Sequence, residues 1–149
     1  GIYLSKYDRK KFDAPSVAVD LLIFNQDCSK ILLINRADHP FVNKLALPGG
    51  FYIPSDQTIE EAASRELKEE TSVSLKITNK NLVKITSTKN RDPRGWVISI
   101  AYKVVVNEND VKPIANSDAL YANWVDVNSI KEDNMAFDHF EILNYSLNN

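Results

Sequence analysis

The sequence has 149 residues, of which 44% are hydrophobic and 26% charged, and its formal net charge is −2 at pH 7. This balance is typical of one globular domain and provides no overall basic surface for nucleic acid. No apolar run approaches the ~20 residues that cross a bilayer. We therefore expect a domain with no membrane partner and no nucleic-acid partner of its own.

The single cysteine, Cys28, excludes an internal disulfide bond, which fits the reducing conditions of the cytoplasm. We expect residues 1–149 to form one domain. Because the sequence begins with Gly1 rather than Met, this domain can be a segment of a longer protein.

The first third of the chain predicts strands. Residues 1–15 are polar and mixed, and they predict an arm or a first edge strand. Ser16–Asn25 and Lys30–Arg36 are rich in Val, Leu and Ile and flank a polar turn, so they predict a hairpin of core strands. Leu45–Pro48 is short and apolar, and Gly49-Gly50 then breaks the pattern.

The rest of the chain predicts two helices and three strands. Thr58–Thr71 is the clearest helix, because its first residues match a capping box. The other elements are predicted at Asn81–Thr88, Trp96–Val106, Tyr121–Val127 and, for the closing helix, Asn134–Leu147. The order β-β-β-α-β-β-β-α indicates the α+β class, an α/β/α sandwich with a mixed sheet flanked by helices.

One side of the helix at Thr58–Thr71 is acidic. At about 100° per residue, Glu66, Glu69 and Glu70 share the side that carries apolar residues earlier in the helix. An apolar stripe faces the core, so these carboxylates should point toward protein or a cleft, where they cost free energy unless they are paired or bind a metal. A solvated charge run is the common alternative for a glutamate-rich helix. Three carboxylates on one side favour a hard divalent cation, Mg²⁺ or Mn²⁺.

The same segment resembles the Nudix box of the Nudix hydrolase family, whose pattern is G-x5-E-x7-R-E-U-x-E-E-x-G-U with U apolar. Seven positions match it in type: Gly50, Arg65, Glu66, Leu67, Glu69, Glu70 and Val73. Many positions agree and the helical context is right, so the resemblance is specific. It predicts the Nudix fold for this chain.

Two departures from the Nudix box have structural consequences. The spacing from Gly50 to Arg65 is one residue longer than the pattern, so Asp56 or Gln57 replaces the first glutamate, and Asp56 is the better electrostatic substitute. Ser72 stands where the pattern has its late glycine. A residue just after a helix is often left-handed, so Ser72 predicts a strained or altered helix exit.

The resemblance implies that water attacks a phosphorus of a nucleoside diphosphate derivative, with metal ions neutralising the phosphate oxygens and acidifying a water. It implies that Glu66, Glu69 and Glu70 hold Mg²⁺ (or Mn²⁺), and that Gly50 lets the backbone approach the metal closely. It also implies that Arg65 orients a box glutamate through a salt bridge, although a plain helix pair with a neighbouring glutamate is the alternative.

The acid that positions or deprotonates the attacking water remains open at this stage. The resemblance implies either Glu66 or an acidic residue from a later loop. Asp118 is the first candidate in such a loop, and Glu108 and Asp110 are weaker ones. The catalytic candidates are therefore Glu66, Arg65 and Asp118.

Motifs outside the box resemble one branch of the family, which contains ADP-ribose pyrophosphatases and transcriptional regulators that sense ADP-ribose-type ligands. The motifs are Pro40-Phe41, Leu45–Gly50, Arg91–Trp96, Ser117–Ala119 and Phe137–His139. The substrate-binding candidates are Arg36, Phe41, Gly49, Gly50, Arg91, Arg94 and Trp96. Guanidinium forks suit phosphate oxygens and aromatic rings suit adenine, but solvated arginines and core aromatics are the common alternatives.

Two functional hypotheses follow from the resemblance. The first is a Mg²⁺-dependent enzyme that converts ADP-ribose to AMP and ribose 5-phosphate. The second is the ligand-sensing domain of a transcriptional regulator of NAD or sugar metabolism, with weak or no hydrolysis. A third keeps the enzyme but changes the substrate to an oxidised nucleoside triphosphate or a sugar nucleotide. In each case the ligand is a small nucleotide, and the resemblance implies a homodimer.

Overall fold

The computed structural model describes residues 14–116 and 119–149, so residues 1–13 of the predicted arm lie outside the described residues. The strands are β1 (Ser16–Phe24), β2 (Lys30–Arg36), β3 (Leu45–Ala46), β4 (Gly49–Phe51), β5 (Leu82–Thr86), β6 (Val97–Val105) and β7 (Ala119–Asp126). The helices in that part of the chain are α1 (Ile59–Thr71) and α2 (His139–Leu147).

The strands form one mixed sheet with β1 in the middle. The main order is β3-β2-β1-β6-β5, while β4 pairs with β1 and β7 pairs with β2. β1 runs parallel to β6 over its whole length, whereas β2 and β7 are antiparallel. β1 and β2 pair at Phe24 and Ile31, beside their turn, and then diverge. The predicted hairpin is therefore confirmed at its turn, but its arms separate because each arm has other strands as partners.

Gly49-Gly50 lies within a strand, contrary to the predicted break. Both glycines belong to β4, where Gly49 is opposite Asp20 and Gly50 is opposite Val19 of β1. A side chain at Gly49 would collide with the backbone carbonyl of Val19. The glycine pair therefore allows β4 to pack closely against the central strand.

Helix α1 has the predicted boundaries and the predicted exit. The side chain of Thr58 caps its first turn by accepting a hydrogen bond of 3.0 Å from the backbone N–H of Glu61. At the other end, Ser72 adopts φ 64° and ψ 8°, the left-handed region, and its N–H donates to the carbonyl of Lys68. Glycine favours this conformation, so Ser72 holds the turn with some backbone strain.

The closing helix is shorter than predicted. It begins at His139 rather than Asn134, because the preceding residues pair with β3. Met135 forms a bridge with Leu45, and the N–H of Ala136 donates to the carbonyl of Leu45 over 2.7 Å. This pairing places the backbone in an extended form that a helix cannot share.

Alternate residues of β1 enter two different cores, because successive side chains of a strand point to opposite faces. Val19, Leu21 and Ile23 pack in the same core as the buried side of α1. Leu22 and Phe24 pack in a second core with the buried side of α2. The sheet lies between two helices, so the predicted α/β/α sandwich is confirmed. In the part of the chain that the structure describes, neither helix is long and apolar enough to cross a bilayer.

Candidate active site

A cleft of about 370 Å³ opens between α1, β4 and the end of β2. Three glutamates of α1 line it, namely Glu66, Glu69 and Glu70, and two arginines from other elements, Arg36 and Arg94, line it as well. The remaining lining residues are Ile34, Ala37, Asp38, Gly49, Gly50, Phe51 and Ile53. The cleft therefore combines carboxylates suited to a cation with guanidinium groups suited to phosphate oxygens.

Arg65 links the box acids to the loop before the helix. Its guanidinium donates to both carboxylate oxygens of Asp56, at 2.8 and 2.9 Å, and to the carbonyl of Phe51 at 3.0 Å. It also contacts Glu66 at 2.8 Å and Glu69 at 3.2 Å. Asp56 is buried, and its hydrogen bonds from Arg65 lower the pKa of its carboxyl group. Asp56, rather than Gln57, thus occupies the place expected for the missing first glutamate.

Gly50 and Glu66 fit together because the glycine has no side chain. A Cβ atom at position 50 would overlap the carboxylate group of Glu66. Burial raises the pKa of Glu66, while the hydrogen bond from Arg65 opposes that shift. The absence of a side chain at Gly50 therefore allows a carboxylate to lie against the backbone of β4.

Glu70 is the most perturbed acid of the cleft. Its Oε1 accepts a hydrogen bond of 2.7 Å from the backbone N–H of Gly49. Burial, with smaller contributions from Glu66 and Asp20, raises the pKa of Glu70 to about 8. A buried carboxylate with this shift lacks enough neighbouring positive charge, and a bound cation would supply that charge.

The donor set fits a hard divalent cation. Glu66, Glu69 and Glu70 line the same cleft and offer carboxylate oxygens, the ligands preferred by Mg²⁺ and Mn²⁺. Among residues 14–116 and 119–149, no three acidic, histidine or cysteine side chains converge into a ready-made ion cage. The three carboxylates stay apart because each has another partner. Arg65 forms salt bridges with Glu66 and Glu69, and the backbone N–H of Gly49 donates to Glu70.

The two arginines of the cleft are held by different partners. Arg36 donates to the backbone carbonyl of Pro40 over 2.8 Å, whereas Arg94 forms a salt bridge of 2.8 Å with Asp92. Both guanidinium groups lie over the ring of Phe137, at 5.0 and 4.4 Å from its centroid. Burial, and then the positive charge of Arg94, lowers the pKa of Arg36. An anion in the cleft would relieve the repulsion between these two cations.

Three predicted substrate residues do not line the cleft. Arg91 is held away from it by a salt bridge of 3.0 Å to Asp138. Trp96 lines a separate shallow depression, with the ammonium group of Lys89 over its ring. Phe41 packs edge-on against Phe137, with ring centroids 4.9 Å apart. For Arg91, the structure therefore replaces the expected phosphate contact with a buried ion pair.

The structure describes two of the three candidates for the acidic residue from a later loop. Asp118 lies outside the described residues. Glu108 forms a salt bridge of 3.2 Å with Lys30, and neither Glu108 nor Asp110 lines the cleft. Of the acids proposed to act on the attacking water, Glu66 is the one that the described part of the chain brings to the cleft.

An inner pocket that was not predicted from the sequence adjoins the cleft. The pocket has a volume of about 20 Å³ and shares Arg36, Glu70 and Arg94 with the cleft. Its other polar residues are Asp20 and His139. One signal was available, because Asp20 interrupts the apolar run at residues 17–24, and a carboxylate within a central strand needs a reason.

Comparison with known proteins identifies the family. The family model described as the NUDIX domain matches residues 14–145. The chain belongs to the NUDIX family. The predicted resemblance to the family is therefore confirmed, and α1, which we call the NUDIX helix, carries the acids of the predicted Nudix box.

Two curated NUDIX relatives are similar over almost the whole chain. The ADP-ribose pyrophosphatase of Methanocaldococcus jannaschii is 42% identical over 143 residues, which cover 94% of this chain and 79% of the relative. The ADPR responsive transcriptional repressor NtrR of Acinetobacter baylyi is 32% identical over 147 residues, which cover 95% of this chain. The chain spans 56% of the length of that repressor.

A solved NUDIX structure confirms the fold. The NUDIX domain of Shewanella oneidensis NrtR, in a cocrystal structure with ADP ribose, superposes with a TM-score of 0.85 at 28% sequence identity. The match covers 99% of this chain and 96% of that one. The mixed sheet between helices is thus the NUDIX fold.

Proposed function

We propose that this chain hydrolyses the pyrophosphate bond of ADP-ribose with Mg²⁺ or Mn²⁺, adding one water to yield AMP and ribose 5-phosphate. The observation that carries the proposal is one cleft lined by three glutamates of the NUDIX helix and by Arg36 and Arg94. A pyrophosphate diester needs both groups, because its oxygens are anionic and its phosphorus must accept a nucleophile. The pyrophosphatase at 42% identity supports the choice of ADP-ribose.

Glu66, Glu69 and Glu70 would hold the cation, beside the backbone of Gly50. A divalent cation bound there supplies positive charge for the phosphate oxygens and acidifies a water. Arg36 and Arg94 bind the oxygens of the phosphate groups, since both line the cleft and guanidinium groups donate to phosphate in pairs. These contacts orient the pyrophosphate against the acidic helix.

Arg65 acts as a positioning residue in this proposal. Its five contacts fix Glu66 and Glu69 relative to the loop that carries Asp56. Glu66 accepts the proton of the attacking water, or Asp118, which precedes β7 in the sequence, does so. The Asp118→Asn variant separates these two assignments, because a loss of kcat by orders of magnitude with substrate binding intact assigns the base to Asp118, whereas a kcat near that of the wild type assigns it to Glu66. Glu66→Gln does not separate them, since the proposal also gives Glu66 a place at the cation.

An activity screen tests the proposed function. The purified protein is incubated with ADP-ribose, NADH, sugar nucleotides and nucleoside triphosphates, in Mg²⁺, in Mn²⁺ and in a chelator. We expect cleavage of ADP-ribose with release of AMP in the presence of the cation and not in the chelator. We expect Glu69→Gln to lose this cleavage. Preferred cleavage of a nucleoside triphosphate or a sugar nucleotide would replace ADP-ribose as the substrate. Cleavage of none would refute the enzymatic proposal.

A second candidate function is ligand sensing without efficient hydrolysis, as part of a transcriptional regulator. The similarity to the NtrR repressor, of which this chain spans 56%, supports it. The measurement that favours it is micromolar binding of ADP-ribose by calorimetry together with no detectable AMP release. Rapid turnover of the same compound would favour the enzyme.

The proposal extends to assembly and location. A homodimer is implied by the resemblance of the sequence to its branch of the family, and light scattering after gel filtration measures it directly. A cytoplasmic location is supported by Cys28, a free thiol of the kind that reducing compartments maintain.

A further inference from the structure

Phe137 lies beside the cleft and has no part in the proposed reaction. The guanidinium groups of Arg36 and Arg94 both lie over its ring, at 5.0 and 4.4 Å from the ring centroid. Arg94 also lies over the ring of Phe51, at 4.7 Å. The face of an aromatic ring is electron-rich and attracts a cation within about 6 Å. The ring of Phe137 therefore contacts both arginines that line the cleft.

The ring of Phe137 offsets the repulsion between these two arginines. Burial, and then the positive charge of Arg94, lowers the pKa of Arg36, so the two cations lie close enough to repel each other. Arg94 has a carboxylate partner in Asp92, at 2.8 Å, whereas Arg36 donates to the uncharged backbone carbonyl of Pro40. A cation beside a second cation gains from the negative face of a ring. The ring therefore favours the arrangement in which both arginines lie at the cleft.

The backbone of Phe137 adopts a conformation that a large side chain rarely takes. Its φ is 52°, in the left-handed region, which is an outlier for a bulky residue. The residues on either side are anchored, because the N–H of Ala136 donates to the carbonyl of Leu45 and Asp138 forms a salt bridge of 3.0 Å with Arg91. Such strain persists where the surrounding structure imposes it, and it clusters at functional sites. The strain therefore points to a use for the ring beyond filling space.

Two aromatic neighbours fix the orientation of the Phe137 ring. Phe41 packs edge-on against it, with ring centroids 4.9 Å apart, and the ring of His139 lies 5.2 Å away. His139 is itself held, because the backbone N–H of Leu47 donates to its Nδ1 atom over 3.0 Å. Groups that are fixed before a ligand arrives lower the entropy cost of binding. The ring therefore presents its face to the arginines in the free protein.

We propose that Phe137 is a positioning residue that holds Arg36 and Arg94 together, ready to bind the two phosphate groups of the substrate. This inference rests on the proposed function, since the arginines act on the pyrophosphate bound in the cleft. Without the ring, the binding of substrate has to order two guanidinium groups against their mutual repulsion. Phe137 acts through the arginines and takes no part in the cleavage of the bond.

The test compares three changes of a phenylalanine. Phe137→Leu removes the ring and keeps a branched apolar side chain. Replacing Phe137 by pentafluorophenylalanine keeps the shape of the ring but makes its face repel cations, because fluorine withdraws electrons from it. Phe140→Leu is the matched control, since Phe140 packs against the second core and lines neither the cleft nor the inner pocket. Thermal melting verifies folding, and the fluorinated variant keeps the test valid if Phe137→Leu is unfolded.

We expect KM for ADP-ribose to rise about 5- to 50-fold in both variants at position 137. The kcat should be nearly unchanged, because the bound phosphates order the arginines once the complex has formed. Phe140→Leu should change neither value. In an Arg94→Met background, Phe137→Leu should raise KM by a smaller factor, because residues that act together are not additive.

Three results would overturn the positioning role. They are an unchanged KM in the fluorinated variant, an effect of Phe137→Leu that is the same with and without Arg94, and an equal rise of KM in Phe140→Leu. If the wild-type protein does not cleave ADP-ribose, the proposed function fails, and the same comparison is made on dissociation constants of ADP-ribose from calorimetry. A wild-type protein that also fails to bind ADP-ribose refutes the positioning role as well.

Discussion

Breaking the Arg65–Asp56 pair gives a quantitative test of how the NUDIX helix is held. The substitution Arg65→Met keeps much of the side-chain volume and removes the guanidinium group. The carboxylate of Asp56, with 2% of its side chain exposed, then loses hydrogen bonds of 2.8 and 2.9 Å. Removing one partner of a buried ion pair costs about 3–5 kcal/mol. Arg65 is 23% exposed, so we expect the lower end of that range, about 3 kcal/mol of unfolding free energy.

The assay is chemical denaturation without added metal, in parallel with thermal melting. A change of that size lowers the melting temperature of a domain of this length by roughly 6–12 °C. Lys68→Met, on an exposed position of the same helix, is the matched control and should change stability by less than about 0.5 kcal/mol. The double variant Asp56→Asn/Arg65→Met should recover part of the loss, because position 56 then no longer carries a buried charge without a partner. A loss below 1 kcal/mol in Arg65→Met, or strictly additive losses in the double variant, would refute the reasoning.

Three further predictions concern the cleft. Mg²⁺ or Mn²⁺ should raise the melting temperature of the wild-type protein but not of Glu70→Gln, because Glu70 lines the cleft. Glu61→Gln is the control and should respond like the wild type, because Glu61 does not line the cleft. Equal stabilisation of all three proteins would remove Glu70 from the site. Gly50→Ala should displace the carboxylate of Glu66 and lower kcat by about 100-fold, with a melting curve that shows a folded protein; unchanged kcat would contradict the role of Gly50. Arg36→Ala should lower kcat/KM by about 10- to 100-fold, whereas Arg91→Ala should mainly lower stability, and the reverse pattern would exchange their roles.

The acidic helix could be predicted in detail because its evidence is local. Its start depends on Thr58 and Glu61, which are three residues apart, and its end depends on the conformation of Ser72. Its acids share one side because of helical periodicity alone. The same local rules failed at Met135 and Ala136, where pairing with Leu45 of β3 extends the backbone. Local propensity favoured a helix there, and a contact distant in sequence prevented it.

The sequence by itself predicted the charged groups of the acidic helix: three glutamates and an arginine at a spacing that the NUDIX family uses. It also made Gly49 and Gly50 candidates for the site, although it predicted a break there rather than a strand. Those conclusions depend on residues that are close in the chain.

Only the tertiary structure decided which distant residues reach the cleft. Arg36 and Arg94 line it, while Arg91 is paired with Asp138, 47 positions away in sequence. The choice between similar arginines depends on which partners the fold brings within about 3 Å, and residue type does not encode that distance. For the same reason the sequence could not reveal that Asp20 and His139, from opposite ends of the chain, lie together in one pocket beside Gly49.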